Sequence, residues 1–209
     1  MATFGIMVSK ILVIYVWTCL LTRLASSQEL GLGKATITGF EYAGSGCPEG
    51  SVTVGGAGST GFGLAYSAFN ATIGPRTNAT VTRQDCTVTL GITYPTGLQF
   101  APASFNASGF FELEKGFSGQ LSTTYYFSGG TTQSGREARF TGPSNDTYLL
   151  TDPNPEYLAY SPCGSTSAYL LVRSSIRLRR DDSFARNVAG VFALTDGTVN
   201  YVYWKRCPA

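Results

Sequence analysis

Apolar and polar side chains alternate strictly from Cys86 to Tyr94. Even-numbered positions are cysteine or apolar, and odd-numbered positions are threonine or glycine. Successive side chains of a β-strand point to opposite faces, so this pattern predicts a strand with one buried face and one face in water. Cys86 is therefore expected to point toward the core together with Val88, Leu90 and Ile92.

Further segments show the same alternation and are separated by turn-forming residues. The strand segments are 62–66, 120–127, 168–178, 188–194 and 198–204. Turns are predicted at 94–97, 128–130, 141–146, 152–155 and 195–197. Asp196-Gly197, between the last two strand segments, predicts a β-hairpin. Because no segment carries an apolar stripe at helical spacing, the chain is predicted to be all-β, with a single antiparallel β-sandwich domain.

The N-terminal segment has the three parts of a secretory signal peptide. Lys10 precedes an apolar run of eleven residues, 11–21, and Arg23 and the small residues 25–27 follow. A run of this length is too short to span a hydrocarbon core of about 30 Å comfortably. We expect a signal peptide over residues 1–27, a mature domain over 28–209 with no membrane span, and an extracellular location. An uncleaved signal anchor is the alternative.

The cysteine count becomes even once Cys19 leaves with the signal peptide. In a secreted chain the remaining Cys47, Cys86, Cys163 and Cys207 indicate two disulfides, with three possible connectivities. Their separations of 39, 77 and 44 residues contain no Cys-x-x-Cys, which disfavours a metal site. Sequential pairing is favoured because it would link each half of the chain locally.

Histidine is absent, which excludes His-dependent nucleophile systems and His-ligated metal sites. Loss of Lys10 and Arg23 with the signal peptide reduces 15 basic residues to 13, which equals the 13 acidic ones, so the mature chain has no net charge. We expect no cofactor, no metal and no nucleic-acid partner from this composition.

Four Asn-x-Ser/Thr sequons occur in the chain, at Asn70, Asn78, Asn106 and Asn145. Such a sequon is an N-glycosylation acceptor in a eukaryotic secretory pathway when it is exposed. Together with the signal peptide and the paired cysteines, the four sequons predict a glycoprotein.

A stripe of arginines is the first candidate binding surface. Alternation over 168–178 places Tyr169, Arg173 and Arg177 on one face, with Arg179 continuing it. Such a stripe can bind an anionic surface, such as an acidic polysaccharide or phospholipid headgroups, and Arg180 and Arg186 are expected to extend it. The alternatives are an edge protected against aggregation and, for Arg179-Arg180, a dibasic processing site.

Tyr201 and Tyr203 form a second candidate surface. Alternation sends these two rings to one face and Trp204 to the other. An exposed pair of rings can stack on sugars, which makes these residues a candidate platform for a glycan. Core packing is the alternative.

Glu112 and Glu114 are the candidates for carboxylate chemistry. Residues at i and i+2 of a strand share a face with their Cα atoms about 6–7 Å apart, so the two carboxyl groups can approach the separations of about 5–9 Å used in glycoside hydrolysis. A solvated strand face is the simpler interpretation, and no catalytic constellation is predicted.

Several multi-residue blocks around the cysteines resemble a known family. The blocks are 47–53 (CPEGSVT), 86–94 with 94–100 (YPTGLQF), 124–129 (TYYFSG), 140–143 (FTGP), 161–164 (SPCG) and 204–207 (WKRC). They cover about residues 34–207 and resemble the secreted fungal family called domain of unknown function 4360. The resemblance implies a secreted β protein with paired cysteines, and it supplies no catalytic residue.

These observations favour a secreted binding protein over an enzyme. We expect a disulfide-linked, N-glycosylated β-sandwich that binds a cell-wall or host glycan, or an extracellular protein, without catalysis. A carboxylate-based glycan-active enzyme and a structural surface protein are the alternatives.

Overall fold

The computed structural model describes residues 34–56, 61–75, 79–152, 158–183 and 187–208, and all regular structure within these ranges is β-strand. The strands are β1 (Thr36–Ala43), β2 (Val52–Gly55), β3 (Phe62–Tyr66), β4 (Asn70–Ile73), β5 (Val81–Thr93), β6 (Leu98–Leu113), β7 (Phe117–Phe127), β8 (Gln133–Thr141), β9 (Ser144–Asp152), β10 (Ser167–Arg180) and β11 (Gly190–Arg206). In this described part of the chain there is no helix long and apolar enough to cross a membrane.

The strands form two antiparallel sheets. Sheet A has the order β1-β5-β10-β7-β8, and sheet B has the order β2-β3-β11-β6-β9 with β4 also paired to β11. The apolar faces of the two sheets pack against each other, so the predicted all-β antiparallel sandwich is confirmed. The predicted signal peptide lies outside the described residues, and the extent of the domain, 28–209, stays a prediction.

Contacts between the sheets show how closely their inner faces interlock. Gly119 on sheet A faces Phe192 on sheet B so closely that an added Cβ would lie 2.9 Å from the ring. At the other end of the sandwich, Tyr125 on sheet A donates a hydrogen bond to the carbonyl oxygen of Pro102 on sheet B (3.2 Å). Glycine is therefore required at position 119 because an aromatic ring from the opposite sheet occupies the space of a side chain.

The alternation in β5 has the predicted orientation. Cys86, Val88 and Leu90 are 0% exposed and Ile92 is 2% exposed, while the intervening threonines and Gly91 lie on the outer face. β5 pairs with β1 on one side and β10 on the other. Its residues are thus central in sheet A, and the buried face of one strand supplies part of the core.

The hairpin predicted at Asp196-Gly197 is wrong. β11 runs without a turn from Gly190 to Arg206, and both residues pair with β3 on one side and β6 on the other. A register shift between Leu194 and Asp196 marks a β-bulge, a local irregularity that also favours turn-type residues. Gly197 allows a close approach, since an added Cβ would lie 3.0 Å from the Phe105 ring.

The two disulfides join the chain in sequential pairs. Cys47 is bonded to Cys86, with Cα atoms 5.5 Å apart, and Cys163 is bonded to Cys207, with Cα atoms 5.7 Å apart. The first bond is buried and attaches the loop before β2 to the middle of β5. The second attaches the residue after β11 to the loop before β10. The pairing favoured by local linkage is the one present.

Alkaline pH is expected to destabilise the fold through Tyr66. This side chain on β3 is buried, and its hydroxyl is hydrogen-bonded to Ser174 of the opposite sheet. Burial raises the pKa of Tyr66 from 10.0 to about 12, and the hydrogen bond to Ser174 acts in the opposite direction. Between these pH values the Tyr66 hydroxyl is deprotonated in the unfolded chain but stays protonated in the folded chain. The free energy of unfolding is therefore unaffected by this group below pH 10 and decreases as the pH rises toward 12.

Denaturant unfolding between pH 9 and 12 measures this effect. Tyr66→Phe is expected to show a shallower loss of unfolding free energy with pH than the wild type. The exposed Tyr169→Phe serves as the control and should follow the wild-type curve. Equal slopes for the wild type and Tyr66→Phe would contradict the assignment.

Candidate functional site

β10 places the predicted arginine stripe on the outer surface of sheet A. It lies between β5 and β7, and its even-numbered residues from Leu170 to Leu178 are buried. Tyr169, Arg173, Arg177 and Arg179 point outward and are exposed. The strand alternation therefore separates the charged and apolar side chains as the sequence predicts.

Neighbouring strands bring further polar groups beside these arginines. In the antiparallel register Arg177 lies between Arg83 of β5 and Gln120 of β7, and Gln120 in turn pairs with Arg139 of β8. Side chains directly opposite each other in such a register have Cβ atoms about 4.5–5.5 Å apart. We refer to the outer surface around Arg83, Arg173, Arg177 and Arg179 as the arginine face.

Two carboxylates on this side of sheet A are already occupied by arginines of their own strands. Asp85 Oδ1 lies 2.8 Å from Arg83 Nη2, and Glu137 Oε1 lies 2.8 Å from Arg139 Nε. Partial burial would raise the pKa of Asp85, but hydrogen bonds from Arg83 and Ser175 and the charges of Arg83 and Arg173 outweigh it and lower the pKa. Asp85 therefore stays ionised and holds Arg83 in place.

Arg173, Arg177 and Arg179 are differently placed. None of them forms a salt bridge with another residue in the part of the chain that the structure describes. The charge of Arg179 contributes to lowering the pKa of Asp181, although the larger causes there are backbone and side-chain hydrogen bonds from Ser183. These guanidinium groups thus retain donors that can bind a ligand.

The arginine face is concave rather than flat. A cleft of about 390 Å³ is lined by the polar side chains of Arg83, Gln120, Ser122, Thr124, Gln133, Arg173, Ser175 and Arg177. A second cleft of about 430 Å³ shares Gln120 and Arg177 with the first and adds Arg139 and Arg179. Together they form a polar trough across β5, β10, β7 and β8.

A depression with one exposed aromatic ring lies at the other end of the same surface. Its volume is about 580 Å³, and its lining includes Tyr169, Thr89 and Leu171. Tyr169 is 62% exposed. From Tyr169 to Arg179 the outer surface of β10 extends over ten residues, about 33 Å. Aromatic and basic groups thus follow one another along a single strand.

The structure separates the residues predicted as a ligand platform. Tyr169 and the arginines belong to sheet A, whereas Tyr203 lies exposed on β11 of sheet B. The side chain of Tyr201 lies outside the described residues, and register shifts on both sides of this position break the simple alternation assumed for it. The arginine stripe and the Tyr201–Tyr203 pair therefore remain two separate candidate surfaces, on different sheets.

Two expectations about the basic cluster and the candidate acids are corrected. Arg180 does not extend the cluster, because it is only 2% exposed and its position in β10 is on the buried face of the strand; Arg186 lies outside the described residues. Glu114 does not share a strand face with Glu112, since β6 ends at Leu113. Its Oε1 instead accepts a hydrogen bond from the Ala189 backbone (3.2 Å).

Sequence reasoning missed the contribution of β5 and β8 to the arginine face. Arg83 and Asp85 are odd-numbered, and the alternation of β5 already placed odd positions on the outer face, so extending that strand by five residues would have found them. Arg139 has no such signal, because β8 lies at the edge of sheet A and only Phe140 among its residues packs against the core as a partly buried aromatic.

The fold and this face define a β-sandwich protein with two disulfides and an arginine-rich polar trough. Within the described residues no group of three or more Cys, Asp or Glu side chains is placed to hold a metal ion. The chain belongs to the family described as Domain of unknown function (DUF4360), whose model matches residues 33–207.

A relative from Arthroderma benhamiae is described as an uncharacterized secreted protein. It is 35% identical over 183 residues, which cover 83% of this chain and 72% of the relative. The secreted character of this relative and the two disulfides agree with the N-terminal sequence, and the protein is extracellular.

Two solved structures overlap partly with the sandwich. A structure of TmCBM61 in complex with β-1,4-galactotriose is 12% identical, with a TM-score of 0.26, and covers 82% of this chain and 91% of its own. A family 11 carbohydrate-binding module from Clostridium thermocellum in complex with a mixed-linked tetrasaccharide is 11% identical, with a TM-score of 0.22, and covers 81% and 94%. At these scores the likeness says nothing about what this chain binds.

Proposed function

We propose that the protein is a non-catalytic extracellular binding protein whose arginine face takes an acidic polysaccharide. The observation that carries this proposal is the concave polar trough on sheet A, in which Arg173 and Arg177 project from one strand without a salt bridge to any described residue. Four residues of a strand separate these two arginines by about 13 Å. The trough therefore offers repeated cationic positions along a line, which suits an extended anionic polymer.

The chemistry of the lining supports a sugar acid over other anions. A guanidinium group binds a carboxylate with two parallel hydrogen bonds. Gln120, Gln133, Ser122 and Thr124 add donors and acceptors that match sugar hydroxyls. Tyr169 at the aromatic end of β10 presents a ring on which a sugar face can stack. A phospholipid surface would leave these hydroxyl-matching groups unused.

A catalytic alternative has less support. The enzyme hypothesis required Glu112 and Glu114 to face one site, but Glu112 lies on the outer face of sheet B and Glu114 lies in the turn after β6. We therefore propose binding without turnover, in which Glu112 and Glu114 have no role.

The Arg173→Gln/Arg177→Gln double variant is expected to bind a polyuronate at least tenfold more weakly than the wild type. Each lost charge-assisted hydrogen-bonding group contributes about 1.5–3 kcal/mol, and about 1.4 kcal/mol corresponds to a factor of ten in affinity. Titration calorimetry with a polyuronate of defined length measures the loss. Binding by the wild type is also expected to weaken as salt is raised, because exposed charges are screened.

The matched control is Lys205→Gln/Arg206→Gln, which removes two exposed positive charges from β11 of sheet B. It should retain wild-type affinity. Equal losses in both double variants would indicate non-specific attraction to positive charge and overturn the site. Wild-type binding of a neutral polysaccharide in preference to the polyuronate would overturn the proposed ligand class.

A further inference from the structure

Three of the four sequons lie on the same face of the sandwich. Asn70 is on β4, Asn106 on β6 and Asn145 on β9, and all three strands belong to sheet B. Ala71 and Ala107, which directly follow Asn70 and Asn106, are buried, and so is Tyr148, which lies three residues after Asn145 and therefore on the opposite face of β9. Alternation therefore directs all three asparagines to the outer side of sheet B, where Asn70 and Asn145 are exposed and Asn106 is half-buried.

The strand register gives the relative positions of these asparagines. Asn70 pairs with Ala193 of β11, which pairs with Phe110 of β6, which pairs with Thr147 of β9. Asn145 lies on the next row of this surface, opposite Glu112, and Asn106 lies four residues before Phe110. Since neighbouring strands are about 4.8 Å apart, Asn70 is about 10 Å from Phe110 across the sheet.

Two large apolar side chains are exposed between the three asparagines. Leu149 is 69% exposed and Phe110 is 44% exposed. Phe110 lies diagonally opposite Asn145, and Leu149 lies diagonally opposite Asn106, at the separation of about 7–8 Å within which side chains on neighbouring strands still interact. The sequons thus surround an apolar patch that no described element of the chain covers.

We propose that Asn70, Asn106 and Asn145 carry N-glycans that cover the Phe110–Leu149 patch and make sheet B the shielded face of the protein. Asn70 and Asn145 are exposed, as are the threonines at the third position of their sequons, Thr72 and Thr147. The Ser108 hydroxyl of the third sequon donates to Asp196 Oδ2 (3.3 Å) on the same surface. The innermost sugars project over the apolar patch, and the arginine face on sheet A stays bare.

The modification is the ordinary transfer from a lipid-linked oligosaccharide. The bond between the anomeric carbon of the first sugar and the lipid pyrophosphate breaks, and a bond from that carbon to the asparagine Nδ2 forms. Nδ2 gives up one proton, and the lipid pyrophosphate leaves with the bonding electron pair. The secretory pathway supplies both the donor and the transferase.

The test uses the full chain secreted from a eukaryotic host with Asn78→Gln, so that only the three sheet B sequons remain. Removal of N-glycans by an amidase converts each occupied asparagine to aspartate, which peptide mapping detects. We expect this conversion at Asn70, Asn106 and Asn145. Unmodified asparagine at two or more of these positions would overturn the proposal.

A second measurement tests coverage of the patch. After enzymatic deglycosylation of the folded protein, binding of a hydrophobic fluorescent dye is expected to increase at least twofold. In the Phe110→Thr/Leu149→Thr variant deglycosylation should leave dye binding unchanged. An equal increase in this variant, or no increase in the protein with both apolar residues, would show that the glycans do not cover this patch. Neither result depends on what the arginine face binds.

Discussion

Phe192→Ala is expected to lower the free energy of unfolding by about 3–5 kcal/mol. Phe192 is 0% exposed and lies at the centre of an aromatic cluster. Its ring centroid is 5.3 Å from Phe140, 5.7 Å from Tyr148 and 6.5 Å from Phe111. Truncation leaves a cavity between the sheets, because all four rings are held by different strands and the surrounding backbone can close it only in part.

Denaturant unfolding measures this loss, and Phe110→Ala supplies the matched control. Phe110 is also a phenylalanine of sheet B, paired through Ala193 with the strand that carries Phe192, but it points outward. Its replacement is expected to cost less than about 1 kcal/mol, as is usual for exposed positions. Similar losses in the two variants would mean that the aromatic cluster is not the main core contact.

Removing the Cys47–Cys86 disulfide by double substitution to alanine is expected to destabilise the protein by about 4 kcal/mol or more. The bond closes a loop of 39 residues, for which the chain-entropy estimate is about 4 kcal/mol. Both cysteines are buried beside the core, so the lost sulfur atoms add a packing cost. Such a loss approaches the whole stability of many domains.

The Cys163→Ala/Cys207→Ala variant separates the two contributions. Its loop of 44 residues has nearly the same entropy, but Cys163 is exposed and Cys207 is only partly buried. Thermal unfolding is therefore expected to show a smaller decrease in Tm for this variant than for the variant without Cys47 and Cys86. The reverse order would contradict the importance of burial at the first bond.

The strands that sequence predicted well share one physical property. β3, β5, β7 and β10 each have one face in the core and the other in water, so burial alternates along them with the same period as the side chains. Hydrophobic alternation reports this directly.

β6 was missed because its first half is buried on both faces. Residues 100–105 are all buried, and the segment around Ser161 packs over them: the Ser161 N–H donates to the Phe100 carbonyl, and the Phe100 N–H donates to Ser161 Oγ. Pro102 is tolerated in β6 because its nitrogen faces the same side as the Phe100 N–H, away from β11, and pairing with β9 on that side begins only at Phe105.

The candidate site was predictable only along single strands. Alternation in β10 gave Tyr169, Arg173, Arg177 and Arg179, but the row that joins Arg83, Arg177 and Arg139 is a property of strand order and register. Residues 83, 139 and 177 are far apart in the chain, and no local pattern relates them. The same holds for the three sequons of sheet B. Their common face depends on the pairing of β4 and β6 with β11 and of β9 with β6.

The order of synthesis divides the folding of the two sheets. All five strands of sheet A lie between Thr36 and Arg180, so they are all available before β11 is made. Among the strands that the structure describes, only β11 joins β3 and β4 to β6, so sheet B depends on it. During secretion, all strands of sheet A are therefore synthesised before sheet B can be completed. Until β11 is synthesised, the apolar face of sheet A lacks most of the partner sheet that covers it in the folded protein.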